Sequence, residues 1–290
     1  MKTTKKEFLA VLLAVLILST LACTAWADKS EDVSFEDLKS LRMDITLNIN
    51  MDISVMGESM SDVKMDMEGT IDMTLDPDRC YVDMTTTSAD ETMHPLSYYE
   101  PQETQYVVYT SVDEGKTWEK QTVAGNTLPN GMVSSVDSLK KIAEFAKDFE
   151  KTGTEEIHGR KADLYSGVLS GEQLKEYLSI SGSLDTLFAS FGFGIDDMDP
   201  SMLGEMPITI ALDSETGMLL GYGMDMKDFL QNLMQAVMES LMAASLEGQE
   251  LPEDFDLSTL EIAVTIKEAE SYTTLYDFNA VEEITMPNVA

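Results

Sequence analysis

The sequence predicts an α+β fold, in which about eleven strands form a curved antiparallel sheet or open barrel, accompanied by about three helices. Three observations predict this class. Two consecutive segments alternate strictly between apolar and polar residues, helix-period segments interrupt a series of strands, and neither an internal repeat nor a low-complexity linker divides the chain. Alternation with period two is typical of strands with one buried and one solvated face. Helices set between the strands of an antiparallel sheet are typical of α+β folds.

The first element is an N-terminal segment, residues 1–27, with the composition of a secretory signal peptide. Lys2, Lys5 and Lys6 precede an uncharged apolar run, which small residues follow as far as Ala27. This order of basic, apolar and small residues is that of an export signal, and the apolar run is shorter than the ~20 residues of a permanent span. The sequence therefore predicts an extracytoplasmic protein, either secreted or anchored at the outer face of the cell membrane.

Two processing sites remain open at this end of the chain. Ala25-Trp26-Ala27 suits cleavage after residue 27, whereas Ala22-Cys23 resembles a lipobox that would end the signal at residue 22 and lipidate Cys23. Either outcome leaves Cys80 as the sole cysteine available inside the mature domain. We expect Cys80 to be a small buried hydrophobic residue without an intrachain disulfide.

The next elements are long strands. Every odd position from Met43 to Val55 is apolar, and the same parity continues from Val63 to Leu75. Asp76-Pro77-Asp78 has the composition of a turn, and a third strand follows near 80–87. Strands of ~13 residues exceed the usual five or six, and long twisted strands favour a curved sheet.

Shorter strands and helices share the rest of the chain. The predicted strands are 104–111, 117–123, a hairpin over 153–169 that turns at His158-Gly159, 206–213, 218–226, 258–270 and 272–284. The predicted helices are 134–151, a helix that a capping box opens at Ser170-Gly171-Glu172-Gln173, and 228–246. Together these elements predict a single domain over residues 33–287.

The turn between the strands 104–111 and 117–123 has the Asp-box pattern S-x-D-x-G-x-T-W at 111–118. In that pattern the aspartate and serine cap a hairpin turn, and the threonine and tryptophan pack beneath it. The pattern recurs in sialidase-type propellers, where it repeats once per blade. A single copy without a blade-length repeat predicts hairpin architecture rather than glycosidase function.

Composition excludes several function classes. The formal net charge is −34, which opposes binding to nucleic acid or to anionic lipid headgroups. His94 and His158 belong to no metal-ligand or nucleophile pattern, and no phosphate-binding glycine loop is present. The sequence therefore predicts a protein that is not an enzyme and has no cofactor and no metal site.

The 21 methionines are mostly on apolar faces beside Ile, Val and Leu, which favours a deformable hydrophobic lining over a copper site. The helix predicted at 228–246 has a wide apolar stripe opposite Gln231, Asn232, Gln235 and Glu239. That stripe predicts packing on the sheet, with a role as a lid over an apolar cavity as a second interpretation.

Several short runs carry a resemblance to a known family. They are GTEEIHGRKA at 153–162, YSG at 165–167, Y-x-F-N at 276–279 and EEITMP at 282–287, behind an export signal and long alternating strands. In this order they resemble the LolA/LppX-like superfamily of bacterial envelope lipoproteins and lipoprotein carriers, as an uncharacterised Gram-positive branch. The resemblance implies an incomplete barrel, whose strongly curved sheet carries helices on its concave face. It also implies an apolar cavity that binds acyl chains.

The expected function rests on the apolar faces of the predicted strands and helix and on the family resemblance together. We expect a non-catalytic protein of the cell envelope that binds a lipid or another apolar ligand; the alternative is a structural or protein-interaction protein with a filled core. The predicted lining residues are Met43, Ile45, Leu47, Ile49, Met51, Val63, Met65, Met67, Ile71, Met73, Leu230, Leu233, Met234, Val237, Met238 and Leu241. A protein partner is not specified by the sequence.

Overall fold

The structure is a computed structural model that describes residues 38–55, 58–76, 78–88, 91–102, 105–124, 136–181, 199–235 and 262–288. The predicted signal peptide and Cys23 lie outside these ranges. The strands are β1 (Ser40–Val55), β2 (Glu58–Leu75), β3 (Asp78–Ser88), β4 (Glu91–Met93), β5 (Leu96–Gln102), β6 (Gln105–Ser111), β7 (Glu119–Ala124), β8 (Glu150–Ile157), β9 (Arg160–Leu169), β10 (Met206–Asp213), β11 (Leu219–Asp225) and β12 (Ile262–Tyr276).

All twelve strands belong to one antiparallel sheet in the order β7-β6-β5-β3-β2-β1-β12-β11-β10-β9-β8, with β4 paired to β3. Strands β1 and β12 pair at its centre, from Arg42 opposite Tyr276 to Val55 opposite Ile262. The strands β7 and β8 form the two ends of this order, so the sheet is open. An open, curved antiparallel sheet with few helices confirms the predicted fold class.

Three helices accompany the sheet in the described ranges. They are α1 (Val136–Ala146), α2 (Gly171–Ser181) and α3, which begins at Lys227 and is described over 227–235. The predicted capping box opens α2, because the Gln173 N–H donates to Ser170 Oγ and the Ser170 N–H donates to Gln173 Oε1 at 2.9 Å. A 3-10 turn at Pro200–Met202 follows, where Asp199 Oδ1 accepts from the Ser201 N–H.

The helices cover the apolar face of the sheet. The odd-numbered residues of β1 from Leu41 to Met51 and the odd-numbered apolar residues of β2 from Val63 to Leu75 pack there. They form one buried cluster with Ile142 and Phe145 of α1, Tyr177 of α2, and Phe229 and Leu233 of α3. Buried Cys80 belongs to the same cluster, as predicted for a small hydrophobic residue. We call this surface the inner face, and the opposite, mostly polar surface the outer face.

The sheet curls toward its outer face where the β8–β9 hairpin ends. Neighbouring strands of a flat sheet lie ~4.8 Å apart, and β9 is the third strand from β12, so the two strands would lie about 14 Å apart. Yet His158, in the β8–β9 turn, stacks on Tyr276 with ring centroids 3.8 Å apart and reaches Thr274 Oγ1 at 3.0 Å. A second cluster of buried hydrophobic residues packs beneath this hairpin. Its members are Ile157, Ala162, Ala211, Met218 and Leu220.

The β6–β7 turn confirms the hairpin interpretation of the Asp-box pattern. Asp113 accepts hydrogen bonds from the Thr117 hydroxyl at 2.7 Å and the Thr117 N–H at 2.8 Å, and Ser111 Oγ accepts from the Gly115 N–H at 2.8 Å. Trp118 donates to the Gly115 carbonyl and packs edge-on against Tyr98. The hydrogen bonds from Thr117 and Ser111 lower the pKa of Asp113 to about 2.

The predicted elements differ from the structure in three regions of the chain. The strands predicted at 258–270 and 272–284 are one strand, β12, which ends at Tyr276, because its pairing with β1 continues through residue 271 without a turn. The helix predicted at 134–151 ends at Ala146, and β8 already begins at Glu150. Strands β4 (Glu91–Met93) and β5 (Leu96–Gln102) were not predicted, since β4 has only three residues and the apolar and polar residues of β5 do not alternate cleanly.

Candidate functional site

The predicted lining residues of β1 and β2 lie on the inner face. Nine of them are buried, with 0–5% of their surface exposed, and Val63 is partly buried against them. The buried residues are Met43, Ile45, Leu47, Ile49, Met51, Met65, Met67, Ile71 and Met73. Their shared orientation confirms the alternation on which the prediction rested, while their role in binding stays a prediction.

The α3 part of the predicted lining is only partly described. Leu230, Leu233 and Met234 are buried in the same cluster as the β1 and β2 residues, whereas Val237, Met238 and Leu241 lie outside the described residues. Gln231 of α3 forms two hydrogen bonds with the backbone of β12. Its side-chain oxygen accepts from the Ile266 N–H at 2.9 Å, and its side-chain amide donates to the Val264 carbonyl. Within the described residues, then, α3 lies directly on β12.

A small apolar gap separates α2 and α3 from the sheet. Its volume is about 10 Å³, which is at most the space of one water molecule. The lining residues are Leu174, Tyr177, Leu178, Met206, Met224, Met226 and Phe229. The described part of the inner face is therefore closely packed against its helices.

Two buried hydroxyl groups interrupt the apolar inner face. Ser271 is 5% exposed and Thr273 is fully buried, and neither hydroxyl has a hydrogen-bond partner in the structure as described. They lie opposite Leu47 and Ile45 of β1, with Met224 and Tyr222 on the other side. A buried hydroxyl without a partner costs free energy, so a functional role is one explanation for such a position.

A second cavity is a groove of about 450 Å³ across five strands. Its lining residues are Thr46, Asn48, Ser166, Gly167, Pro207, Ile208, Thr209, Gly223, Met224, Asp225, Glu270, Ser271 and Tyr272. We call this the outer groove, because the exposed side chains of Thr46, Asn48, Glu270 and Tyr272 belong to the outer face.

The outer groove was not predicted from the sequence. Its residues come from β1, β9, β10, β11 and β12, so no single segment displays it. Two local features were visible, the polar even positions of β1 and the Gly221-Tyr222-Gly223 run in β11. Both are also common on ordinary solvated strands, and only the pairing of distant strands brings them together.

Two described titratable groups, Cys80 and Tyr276, have raised pKa values that oppose a reactive role. Burial raises the pKa of the Cys80 thiol, which opposes the thiolate needed in a nucleophile. Burial, together with the hydrogen bond that its hydroxyl donates to Asp44, raises the pKa of Tyr276 to about 12. No group of three or more His, Cys, Asp or Glu side chains in the described ranges is placed to hold a metal ion.

No helix in the described ranges is long and apolar enough to cross a membrane. No curated protein sequence matches this chain. Solved structures that are similar to it include the following two. LprF from Mycobacterium bovis is 12% identical, with 87% of this chain and 89% of that chain covered and a TM-score of 0.38. A β-barrel-like protein of DUF1849 from Brucella abortus is 9% identical, with 82% and 96% covered and a TM-score of 0.23.

Both TM-scores lie below 0.5, so neither similarity assigns a function to this chain. The comparison with protein-family models does assign a family to the chain. Residues 28–182, more than half of the 290 residues, match the model of a family of unknown function, DUF6612. The chain belongs to the DUF6612 family.

Proposed function

We propose that this protein is a non-catalytic, extracytoplasmic protein that binds a lipid or another apolar ligand between the inner face of the sheet and its helices. Residues 1–27, with the composition of an export signal, support the location. The observation that carries the binding proposal is the pair of unpartnered hydroxyls, Ser271 and Thr273, set among methionines and aliphatic residues. Such a surface offers an acyl chain an apolar wall and its polar end two hydrogen-bonding groups.

Methionine supports the proposal in a second way. Inner-face methionines come from five strands, from α3 and from the residue between β11 and α3; they are Met43, Met51, Met65, Met67, Met73, Met84, Met206, Met224, Met226 and Met234. Unbranched thioether side chains repack at low cost, so they accept ligands of varied shape. An acyl chain needs a pocket of ~300 Å³ or more, far above the present gap. Binding at the described surface therefore requires the helices to move away from the sheet.

The close packing of the inner face favours a second candidate function. With a gap of about 10 Å³ under α2 and α3, the described core is filled without any ligand. In that case the protein is a structural or interaction protein of the envelope, and its surface performs the function.

Native mass spectrometry of the purified chain, with lipid extraction of the same sample, distinguishes the two candidates. The lipid-binding proposal predicts a stoichiometric adduct that organic extraction recovers as a fatty acid or phospholipid. A clean apo mass, together with no uptake of added oleate or phosphatidylglycerol, would refute it and leave the structural candidate.

Thr273→Val tests the hydroxyl directly. Valine has nearly the same shape and no unpartnered polar group, so we expect the lipid-free protein to gain about 1 kcal/mol of unfolding free energy. We also expect the adduct to weaken, because the ligand loses a hydrogen-bond partner. The matched control is Thr265→Val, an exposed position of the same strand, which should change stability by less than about 0.5 kcal/mol. If Thr273→Val leaves lipid retention unchanged, Thr273 is not part of the site.

A further inference from the structure

The outer groove has an ordered floor that the strand pairing defines. One row across the sheet runs through Thr46, Tyr272, Gly223, Thr209 and Ser166, each paired with the next. The adjacent row runs through Asn48, Glu270 and Asp225. Two rows of neighbouring outer-face positions thus form a continuous patch on five strands, and the folded-back β8–β9 hairpin borders it.

An aromatic ring stands in the middle of this floor. Tyr272 is 38% exposed and is paired with Gly223, and a Cβ atom at Gly223 would lie 3.2 Å from Tyr272 Cδ2. The absence of a side chain at Gly223 therefore lets the ring lie close to the backbone of β11. An exposed ring held close to the floor of a groove offers a platform for the apolar C–H face of a ligand.

Hydrogen-bonding groups surround the ring. Thr46 and Asn48 are exposed on one side of Tyr272. On the other side the hydroxyls of Thr152, Ser166 and Thr209 form a chain, with Oγ–Oγ1 distances of 3.0 Å and 3.2 Å. Each hydroxyl in such a chain retains the capacity to accept a further hydrogen bond. The groove can therefore satisfy several hydroxyl groups at once around one aromatic platform.

The carboxylates of the outer groove restrict the chemical class of ligand that it can bind. The carboxylates of Asp225 and Glu270 are exposed and directly opposite each other across β11 and β12, and no lysine or arginine lines the groove. Carboxylates accept strong hydrogen bonds from hydroxyl and ammonium groups but repel other anions. Phosphorylated ligands and uronic acids are therefore disfavoured.

We propose that the outer groove binds a saccharide of one or two rings, uncharged or carrying an amino group, with Tyr272 beneath the C–H face of one ring. A volume of about 450 Å³ lies within the range of small-ligand sites. Asp225, Glu270 and Asn48 receive or donate the hydrogen bonds of the sugar hydroxyls. The side chains proposed to contact the sugar lie on the opposite face of the sheet from the proposed lipid site. Ser271 and Met224 border both sites, but the sugar contacts do not use them, so either site can exist without the other.

The test is a titration of the isotopically labelled chain with three disaccharides, followed by backbone-amide NMR shifts. The probes are N,N′-diacetylchitobiose, cellobiose and digalacturonic acid. We expect at least one uncharged disaccharide to shift the amides of Gly223 and Tyr272 saturably, and the acidic one to leave them unchanged. The proposal fails if neither uncharged disaccharide shifts these amides at concentrations up to roughly 10 mM. It also fails if digalacturonic acid binds as tightly as they do.

Variants separate the site from general effects on folding. Tyr272→Ala should weaken binding at least about tenfold, and Glu270→Gln and Asn48→Ala, both at exposed positions, should weaken it several-fold without loss of the fold. The matched control is Tyr81→Ala, a partly exposed tyrosine on β3 outside the groove, which should leave affinity unchanged. Equal affinity for wild type, Tyr272→Ala and Glu270→Gln would place the sugar elsewhere and overturn the assignment.

Discussion

Phe229→Ala is expected to lower the free energy of unfolding by about 3–5 kcal/mol. Phe229 lies in α3, is 2% exposed, and closes the small gap together with Met224 and Met226. Removing the ring forfeits its transfer from water and leaves a cavity that the surrounding side chains fill only in part. Urea-induced unfolding, followed by circular dichroism, measures the loss.

Two further variants make this result specific. Phe229→Leu keeps most of the apolar volume and should cost less than about 1.5 kcal/mol, whereas Val112→Ala, at a position 78% exposed, should be nearly neutral. The space opened in Phe229→Ala is lined by apolar side chains and should take up benzene or xenon. A loss below about 1 kcal/mol for Phe229→Ala would mean that α3 does not pack on the sheet as described.

Asp213→Ala is expected to cost about 2–4 kcal/mol, because one buried carboxylate organises the β10–β11 turn. Asp213 is 5% exposed at the end of β10. Its oxygens accept hydrogen bonds from Arg160 Nε at 2.7 Å, the Thr216 N–H at 2.7 Å, the Thr216 hydroxyl at 2.9 Å and the Glu215 N–H at 3.0 Å. Alanine leaves all of these donors without their acceptor.

The same residue predicts a pH dependence. Burial alone would raise the pKa of Asp213, but the hydrogen bonds from Thr216 and Glu215 and the charge of Arg160 outweigh it and lower that pKa. The stabilisation is therefore complete above the unfolded-state pKa of ~3.9 and is lost as pH falls through the lower folded-state value. Asp213→Asn cannot titrate, so its deficit in unfolding free energy relative to wild type should be largest at pH ~7 and shrink at pH ~3. A deficit that stays constant over this interval would contradict the assignment.

Much of the fold could be predicted because its determinants are local. The alternation of β1 and β2 assigned their inner faces correctly, since successive side chains of a strand point to opposite sides. The capping box at Ser170 and the Asp-box turn at 111–118 were predictable because their hydrogen bonds join residues only two to four positions apart. The burial of Cys80 followed from its residue type, because a cysteine without a disulfide partner behaves as a small hydrophobic residue.

On β12 the local sequence pattern does not predict which side chains belong to the inner face. A bulge opposite Asn50 and Met51 changes the parity of the strand, so inner positions are even-numbered up to Ile266 and odd-numbered from Ala269 onward. Ser271 and Thr273 consequently point into the core, although the predicted break between two strands falls at residue 271. Parity depends on pairing with β1, more than 200 residues away.

The sequence by itself determined the α+β class, the apolar face of the long strands, the acidic character and the composition of an export signal, because each depends on residue type or on neighbours within a few positions. Only the tertiary structure decided that β1 and β12 meet at the centre of the sheet, that the described inner face is packed, and that five strands build a polar groove on the other side. These features depend on register and curvature between distant segments. Many alternative pairings preserve the same local periodicity, so periodicity does not choose among them.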